Sequence, residues 1–363
     1  MRRIVFVIID GLPDTPIKKK TPLSVANTPN LDTLAREGIT GELKLVPKTL
    51  PVKSHIADVA LLGFNPSRYY LKRGPIEALG ADIPFEEGNL ALRCNFATLD
   101  ENGRVIDRRA GRSEYGLNEI VREVNKVLRM DIPFVFLRTY GHRAVLIFKG
   151  KFSDKIEGND PGKEGEFVKL IKPLDRSERS KVTTRIVQEF IDRFHDLVKF
   201  HPKNYERITQ GMLPANYLLV REGGTKLPSL PNFVEKWGLR KAICIAEPSV
   251  TKGICLLTGF DTLTLYPENL DKDLDFIFEQ LEELYEYPFI LVHIKGPDEP
   301  AHDGNFEKKV KVIEKIDESF EWFLDYDGIV IITSDHITSS KHKKHMHGPV
   351  PLLVYGKDRD RVR

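Results

Sequence analysis

Ile329-Val-Ile-Ile332, running into Thr333-Ser-Asp335-His336-Ile-Thr-Ser-Ser-Lys-His342-Lys-Lys-His345-Met-His347-Gly-Pro-Val-Pro351, is the stretch from which the fold is read. Four consecutive β-branched apolar residues show no polar alternation. A strand built from them is covered on both faces, as in a parallel sheet layered between helices. In such sheets the reactive groups sit in the connections just past the carboxyl ends of the strands. Asp335 and His336 occupy that position. A carboxylate beside an imidazole, with further imidazoles at His342, His345 and His347, is a donor assortment suited to a metal ion. Six of the ten histidines lie between His293 and His347. The neighbouring Lys341, Lys343 and Lys344 also suit a solvated basic loop, so the stretch needs support from the rest of the chain.

That support comes from two similar places. Ile4-Val-Phe-Val-Ile-Ile9 is another continuous apolar run, and it ends in Asp10-Gly11. A carboxylate there serves either as a turn cap or as a metal ligand. Phe289-Ile-Leu-Val-His293-Ile294 is a third run, and its exit loop, Lys295-Gly-Pro-Asp298-Glu-Pro-Ala-His302-Asp-Gly, again carries a carboxylate and an imidazole. Shorter strands are expected at 217–220, followed by Arg221 and a Gly223-Gly224 turn, and at 241–245. Helical periodicity marks 184–200, 270–287 and 306–324, and a short helix 28–38 opens on Thr28 as N-cap and closes on Gly38. Strand–helix alternation of this kind predicts an α/β chain with a doubly wound, mostly parallel sheet. Ser54-His55 enters an Ala/Leu-rich segment. The serine is an ordinary N-cap, or a hydroxyl at a helix N-terminus, where free N–H groups favour a bound phosphate. Its adjacency to His55 is no sign of a dyad, because neighbours on a helix point apart.

A chain of 363 residues is long for one core, which predicts two domains. Hydrophobic content of 41% with 30% charge describes a globular protein, and a net charge of +2 gives no reason to expect a nucleic-acid partner. Cys94, Cys244 and Cys255 are too few and too scattered for a disulfide scaffold or a thiolate zinc site, so a reducing compartment fits. No apolar run approaches the roughly 18 residues of a membrane span. Asp10 and Gly11 cut the first run too short for a secretory signal, and the expectation is a cytoplasmic protein without a membrane partner. From Tyr69 the texture changes. Lys72-Arg73-Gly-Pro75, Asp107-Arg108-Arg109-Ala-Gly-Arg112 and Gly141-His142-Arg143 set arginines in loop-like contexts, which suits a bidentate grip on a small anion. Residues 149–180 read as loops, and 357–363 as a charged, frayed tail.

Taken together, these segments resemble the archaeal-type cofactor-independent phosphoglycerate mutase family, a branch of the alkaline phosphatase superfamily. The resemblance is carried by Asp10-Gly11, Thr28-Pro-Asn-Leu-Asp, Ser54 with Leu61-Leu-Gly-Phe-Asn-Pro66, and Arg73-Gly-Pro-Ile-Glu-Ala-Leu-Gly-Ala. It continues through Arg93-Cys-Asn-Phe-Ala-Thr, the 107–112 cluster, Val292-His-Ile-Lys-Gly-Pro-Asp298-Glu-Pro-Ala-His302, Asp335-His336 and His345-Met-His-Gly-Pro-Val-Pro. It implies an alkaline-phosphatase-like core made of 1–68 and 226–363, with a smaller α/β (α+β) substrate domain inserted at 69–225. It also implies two divalent cations, manganese, zinc or cobalt, with magnesium a further candidate. Asp298, His302 and His345 would hold one, and Asp10, Ser54, Asp335 and His336 the other. Ser54 would be the nucleophile that becomes phosphoserine. Arg109, Arg112, Arg143 and Arg221, with Lys252 from the core domain, would contact a small phosphorylated carboxylate. The implied activity is an isomerase of glycolysis and gluconeogenesis interconverting 2- and 3-phosphoglycerate, and a homo-oligomer is compatible with it.

The chain departs from the family pattern at Lys53, His55, Pro300, Ala301 and His347-Gly348, and at 260–264 in place of a glycine-rich stretch. These changes spare the implied ligands and alter their surroundings. An alternative reading is therefore a phosphatase or phosphotransferase acting on another small phosphorylated metabolite. A catalytically silent metabolite sensor would have no need of the complete ligand set.

Overall fold

The structure, a computed structural model, describes residues 2–356, so the tail read as frayed lies outside the described residues. The chain divides into two compact units, Met1–Tyr69 with Ser229–Arg363 and Tyr70–Pro228. Among the described residues no helix is long and apolar enough to cross a membrane.

The first unit is built on a seven-stranded sheet in the order Asp261–Thr264, Ala242–Ala246, Phe289–Ile294, Ile4–Ile9, Ile329–Thr333, Val350–Gly356, Ile39–Leu43. The first five are parallel to one another, and Val350–Gly356 runs antiparallel to its neighbours on both sides. Three of the parallel strands, Ile4–Ile9, Phe289–Ile294 and Ile329–Thr333, are the apolar runs, buried for most of their length. One face carries Val5, Val7, Ile9, Val292, Val330 and Ile332 in a single core with Leu34, Leu274, Ile277, Leu281, Ile313 and Ile316 from the covering helices. Each such side chain contributes about 1.5–3 kcal/mol by leaving water. The register decides where the chemistry goes. Ile9 pairs with Ile294 and Ile8 with Thr333, so the residues that leave these three strands emerge side by side.

The second unit is an antiparallel sheet between helices. Leu90–Leu99 is its long central strand, flanked by Arg143–Phe148 and Tyr217–Gly224, with Phe134–Arg138 and Val105–Asp107 completing it. Phe96, Phe136, Phe148, Phe190 and Phe194 fill the layer beneath the helices Leu117–Val127 and Glu178–Val198. Helix Arg73–Gly80 covers the other face, where Ala78, Ala91, Val145 and Ile147 meet.

Several expectations are corrected. Gly223 and Gly224 are not a turn but the end of the strand Tyr217–Gly224. A Cβ on Gly223 would stand 2.8 Å from Leu92, so the glycine serves close packing within the sheet. The 184–200 helix begins earlier, at Glu178, because the Ser177 hydroxyl accepts from the Ser180 N–H and supplies a cap. The 306–324 helix breaks at Phe320 into Phe306–Ser319 and Glu321–Leu324, and the 270–287 helix stops at Glu283. Thr28 precedes its helix without a side-chain cap, its hydroxyl bonding Asp32 instead. Arg73 opens a helix and does not lie in a loop.

Arg207 shows how the second unit holds an unfavourable turn. Ala110, Gly111 and Arg112 all have positive φ (47°, 65° and 60°), a conformation that costs energy in the two residues with a Cβ. The fully buried Arg207 guanidinium donates to the carbonyls of Ala110 (2.7 Å), Ser113 (3.1 Å), Tyr115 (2.7 Å) and Leu213 (2.8 Å). Arg207→Met keeps the apolar stem and removes the donor from all of these acceptors. Urea unfolding should report a loss of about 3 kcal/mol or more. A loss under about 1 kcal/mol would mean the turn does not depend on this residue.

Candidate active site

All seven residues that the resemblance implies as ligands come together at the carboxyl ends of the central strands. His336 Nε2 stands 2.9 Å from Asp335 Oδ2, 3.2 Å from Ser54 Oγ and 3.6 Å from Asp10 Oδ1. Asp298 Oδ1 lies 3.3 Å from His345 Nε2 and 3.5 Å from His302 Nε2, and those two nitrogens are 3.0 Å apart. The His336 and His345 rings stack at 3.7 Å between centroids, so the two groups share a border. Local structure explains the placement. The exit loop after Phe289–Ile294, read as irregular, folds into the helix Asp298–Asp303, which sets Asp298 and His302 four residues apart on one face. The 333–351 stretch is likewise not one loop. It forms a hairpin of Ile337–Ser339 with Lys344–Met346, which returns His345 to the site. Ser54 is the first residue of the helix Ser54–Leu61 and Lys53 its N-cap, so the serine hydroxyl is not consumed in capping.

Gly11 makes the closeness possible. It adopts φ 65°, and a Cβ there would lie 2.6 Å from the Thr338 hydroxyl and 3.0 Å from Asp298 Cα. A side chain at this position would wedge the loop carrying Asp10 away from Asp298.

The electrostatics are those of anions confined without enough compensation. Burial, and next the Asp335 and Asp298 charges, push the Asp10 carboxyl up to about 6. Burial opposes a charge on His336, yet the adjacent Asp335 carboxylate lifts it to about 9. Asp335 itself falls to about 2: burial works against ionisation, but His336 and the Gly11 N–H more than offset it. Burial likewise opposes ionisation of Asp298, and the surrounding imidazoles hold it well below the usual carboxylate range.

Sequence reasoning missed the buried groups behind this front. Glu247 follows the strand Ala242–Ala246 directly, so the strand-end rule that selected Asp10 would have selected it too. It accepts from Lys295 Nζ at 2.7 Å and pairs with His293 Nδ1 at 3.2 Å. Although burial opposes the charge, Glu247 lifts His293 to about 10. Asp58, one turn after Ser54, accepts from the Thr251 hydroxyl at 2.9 Å, and burial raises it to about 7. Asp14 and Lys309 form an ion pair at 3.2 Å with both side chains fully buried. Nothing in the sequence marks that pair, since Lys309 sits among the charged residues of an amphipathic helix.

The expected substrate contacts divide. Lys252 is only 1% exposed and donates to Thr264 Oγ1 at 2.7 Å, so it is a buried donor of the first unit and not a group presented to solvent. In the second unit Arg93 pairs directly with Arg221 across two strands, and Asn95 pairs with Arg143. Paired positions share a face, so Arg93, Arg143 and Arg221 line the same side of the sheet as helix Arg73–Gly80. Glu77 compensates from that helix: burial works against its charge, but Arg93, Arg73 and Arg143 lower its pKa. Asp160 compensates at the other end, paired with Arg221 and held bidentately by Arg108 at 2.9 and 2.7 Å. Arg109 precedes the turn of positive φ and Arg112 ends it. Arg112, with Arg143, Arg93 and Arg221, acts on His142, whose pKa falls well below normal, mainly through burial. Arg93, not expected as an anion contact, therefore joins Arg73 of the arginine-rich segments and Arg143 and Arg221, which the resemblance implied.

The profile of a family described as 2,3-bisphosphoglycerate-independent phosphoglycerate mutase matches residues 35–204. The chain is 40% identical to the protein of that name from Methanosphaera stadtmanae, over 98% of this chain and 88% of the relative. It is 39% identical to one from Archaeoglobus fulgidus, over 99% and 90%. Among solved structures, a Pyrococcus horikoshii protein aligns with TM-score 0.73 at 30% identity, over 98% of this chain and 87% of that one. The cofactor-independent phosphoglycerate mutase of Thermoplasma acidophilum aligns with TM-score 0.55 at 31% identity, over 99% and 91%.

Proposed function

Because this chain belongs to the 2,3-bisphosphoglycerate-independent phosphoglycerate mutase family, we propose that it interconverts 2- and 3-phosphoglycerate through a phosphorylated Ser54. The activity is that of an isomerase in glycolysis and gluconeogenesis, acting in the cytoplasm. The observation that carries the reading is the convergence of the Ser54 hydroxyl with Asp10, Asp335 and His336 beside Asp298, His302 and His345.

The donors fit two divalent cations. Asp10 Oδ1 and Asp335 Oδ2 are buried and accept no hydrogen bond, and the imidazole nitrogens of His302 and His345 face each other at contact distance. Such an arrangement is costly unless a cation takes these lone pairs. Asp298, His302 and His345 would hold one, and Asp10, Ser54, Asp335 and His336 the other. Mixed carboxylate and imidazole donors suit manganese, zinc or cobalt better than magnesium. When bound, such cations acidify a coordinated hydroxyl and neutralise charge on a transferring phosphoryl group.

The chain's own groups supply the rest. Ser54 Oγ attacks the phosphorus, the Oγ–P bond forms, and the bond from phosphorus to the glycerate oxygen breaks. The other glycerate hydroxyl then attacks the phosphoserine, and Oγ leaves. The N-terminus of the helix Ser54–Leu61, the positive end of its dipole, favours the phosphoryl oxygens. We assign the second unit to substrate binding. Arginines aligned on one sheet face repel one another, and an anionic carboxylate is the natural counter-charge. The glycerate must stay bound and reorient between the two transfers for the reaction to remain intramolecular.

Purified protein reloaded with manganese should convert 2-phosphoglycerate to 3-phosphoglycerate with little free phosphate. Release of inorganic phosphate as the main product would instead favour the phosphatase reading. In the same assay Arg109→Ala should raise KM about ten-fold or more with little change in thermal stability, as loss of a charge-assisted contact requires. An unchanged KM would remove Arg109 from the substrate contacts.

A further inference from the structure

Thr338 stands between the two groups of ligands. Its side chain is fully buried, and Oγ1 lies 2.7 Å from Asp298 Oδ1 and 3.1 Å from His336 Nδ1. Asp298 belongs to one proposed cation site and His336 to the other. Thr338 is also the residue opposite His345 in the hairpin, and its hydroxyl is the atom that a Cβ on Gly11 would strike. Its backbone is committed as well: the N–H donates to the Pro13 carbonyl at 3.1 Å, and the carbonyl accepts from Lys309 Nζ at 2.9 Å. Lys309 in turn bonds Asp14, which accepts from the Ser340 hydroxyl at 2.6 Å. The hydroxyl is therefore held in place from both sides, on the loop after the first strand and on the hairpin.

A threonine hydroxyl has one proton to give. A carboxylate only accepts, so that proton goes to Asp298. The oxygen is then left to accept, and the only way His336 Nδ1 can bond it is as an N–H donor. The other nitrogen, Nε2, keeps its lone pair in the neutral ring, and Nε2 is the atom that faces Asp335, Ser54 and Asp10. We propose that Thr338 is a positioning residue that fixes the His336 tautomer and couples the two cation sites through the chain Asp298–Thr338–His336. This rests on the two-cation reading above. A ligating histidine is regularly oriented by a hydrogen bond at its second nitrogen. Here the orienting group is bonded to a carboxylate of the neighbouring site, so the occupancy of one site is felt at the other. Drawing electron density from the Asp298 carboxylate does not break its bond to Thr338, because Oδ1 has a second lone pair. The rigid post built by Lys309 and Asp14 keeps the hydroxyl from turning away.

Thr338→Val preserves shape and removes the hydroxyl, and Thr338→Ser keeps it. Calorimetric titration of the metal-free proteins with manganese should show affinity reduced about 10- to 100-fold in Thr338→Val and near wild type in Thr338→Ser. The coupling between the two binding events should change in the valine variant and stay as in the wild type in Thr338→Ser. Equal affinity in wild type and Thr338→Val would overturn the proposal and leave the cation reading intact. Failure of the wild type to bind manganese at all would instead overturn the cation reading. Nitrogen-15 spectra of the zinc-loaded wild type test the tautomer without any substitution. A His336 Nδ1 that carries its proton supports the assignment, and an Nδ1 without one refutes it even if the valine variant fails to fold.

Discussion

Ser54→Ala is expected to fold, keep most of its metal and lose mutase activity by about four orders of magnitude or more, as removal of an enzymic nucleophile does. Folding should survive because Lys53, not Ser54, is the N-cap, and the serine side chain supports no cap bond. Its hydrogen-bond partner is His336 Nε2 at 3.2 Å, a contact that alanine gives up without burying a new polar atom. The loss is large because both half-reactions pass through the same oxygen: without Oγ neither bond to phosphorus forms. Wild-type protein quenched in acid during turnover should carry phosphate on Ser54. Lys53 and His55 are the rival acceptors on either side. His55 is 3% exposed on the buried face of its helix, which disfavours it. A phosphoramidate on either rival is acid-labile, whereas phosphoserine survives acid, so mass spectrometry after acid and after alkaline work-up separates them. Retained activity in Ser54→Ala, or label on His55, would overturn the mechanism and leave the fold untouched.

What was legible in the sequence is what a local pattern can encode. Largely apolar runs at Ile4, Phe289 and Ile329 announced buried parallel strands, and the strand-end rule then pointed to Asp10, Asp298, Asp335 and His336. The reading faltered where tertiary contact decides the conformation. Asp298-Glu-Pro-Ala-His302 looks like a loop because of its proline, yet Pro300 lies within the first turn of the helix Asp298–Asp303, where its missing N–H costs nothing. Gly223-Gly224 looks like a turn, yet the glycines are there because Leu92 and helix Arg73–Gly80 leave no room for side chains. Lys252, implied as a substrate contact, and Lys309, lost among the charges of its helix, show nothing of their burial locally, because a lysine carries no sign of burial in its own neighbourhood. Only the folded chain reveals Thr264, Asp14 and the Thr338 carbonyl as the acceptors that make those burials tolerable. The arginine cluster fell between these cases. Its members were visible, but Arg93 and Arg221 became neighbours only through strand register.

The two ligand groups make separable contributions, and this gives the second large expected effect. His302→Ala opens the group around Asp298 and His345, and Asp335→Asn opens the group around Asp10 and His336. Each variant should bind one equivalent of manganese tightly in place of two, and each should lose activity by orders of magnitude, since the remaining donors cannot hold a cation in position. Asparagine is the sharper choice at Asp335. Its Oδ1 accepts from the Gly11 N–H at 3.1 Å and from the His336 N–H at 2.9 Å, and an amide oxygen can keep both bonds. Oδ2, the buried oxygen with no hydrogen bond, is the one replaced by a poorer ligand. Without metal, neutralising Asp335 also relieves its repulsion of Asp10, which helps hold that carboxyl near 6. It also removes the charge that pairs with His336, which holds Asp335 down to about 2, so the metal-free variant should be somewhat less stable than the metal-free wild type. What it should lose is the rise in Tm on adding manganese, because a ligand stabilises the folded state only as far as it binds there. Metal content and Tm together test the assignment. Two equivalents per chain and a wild-type Tm increment in both variants would mean that His302 and Asp335 are not ligands, whatever their effect on turnover.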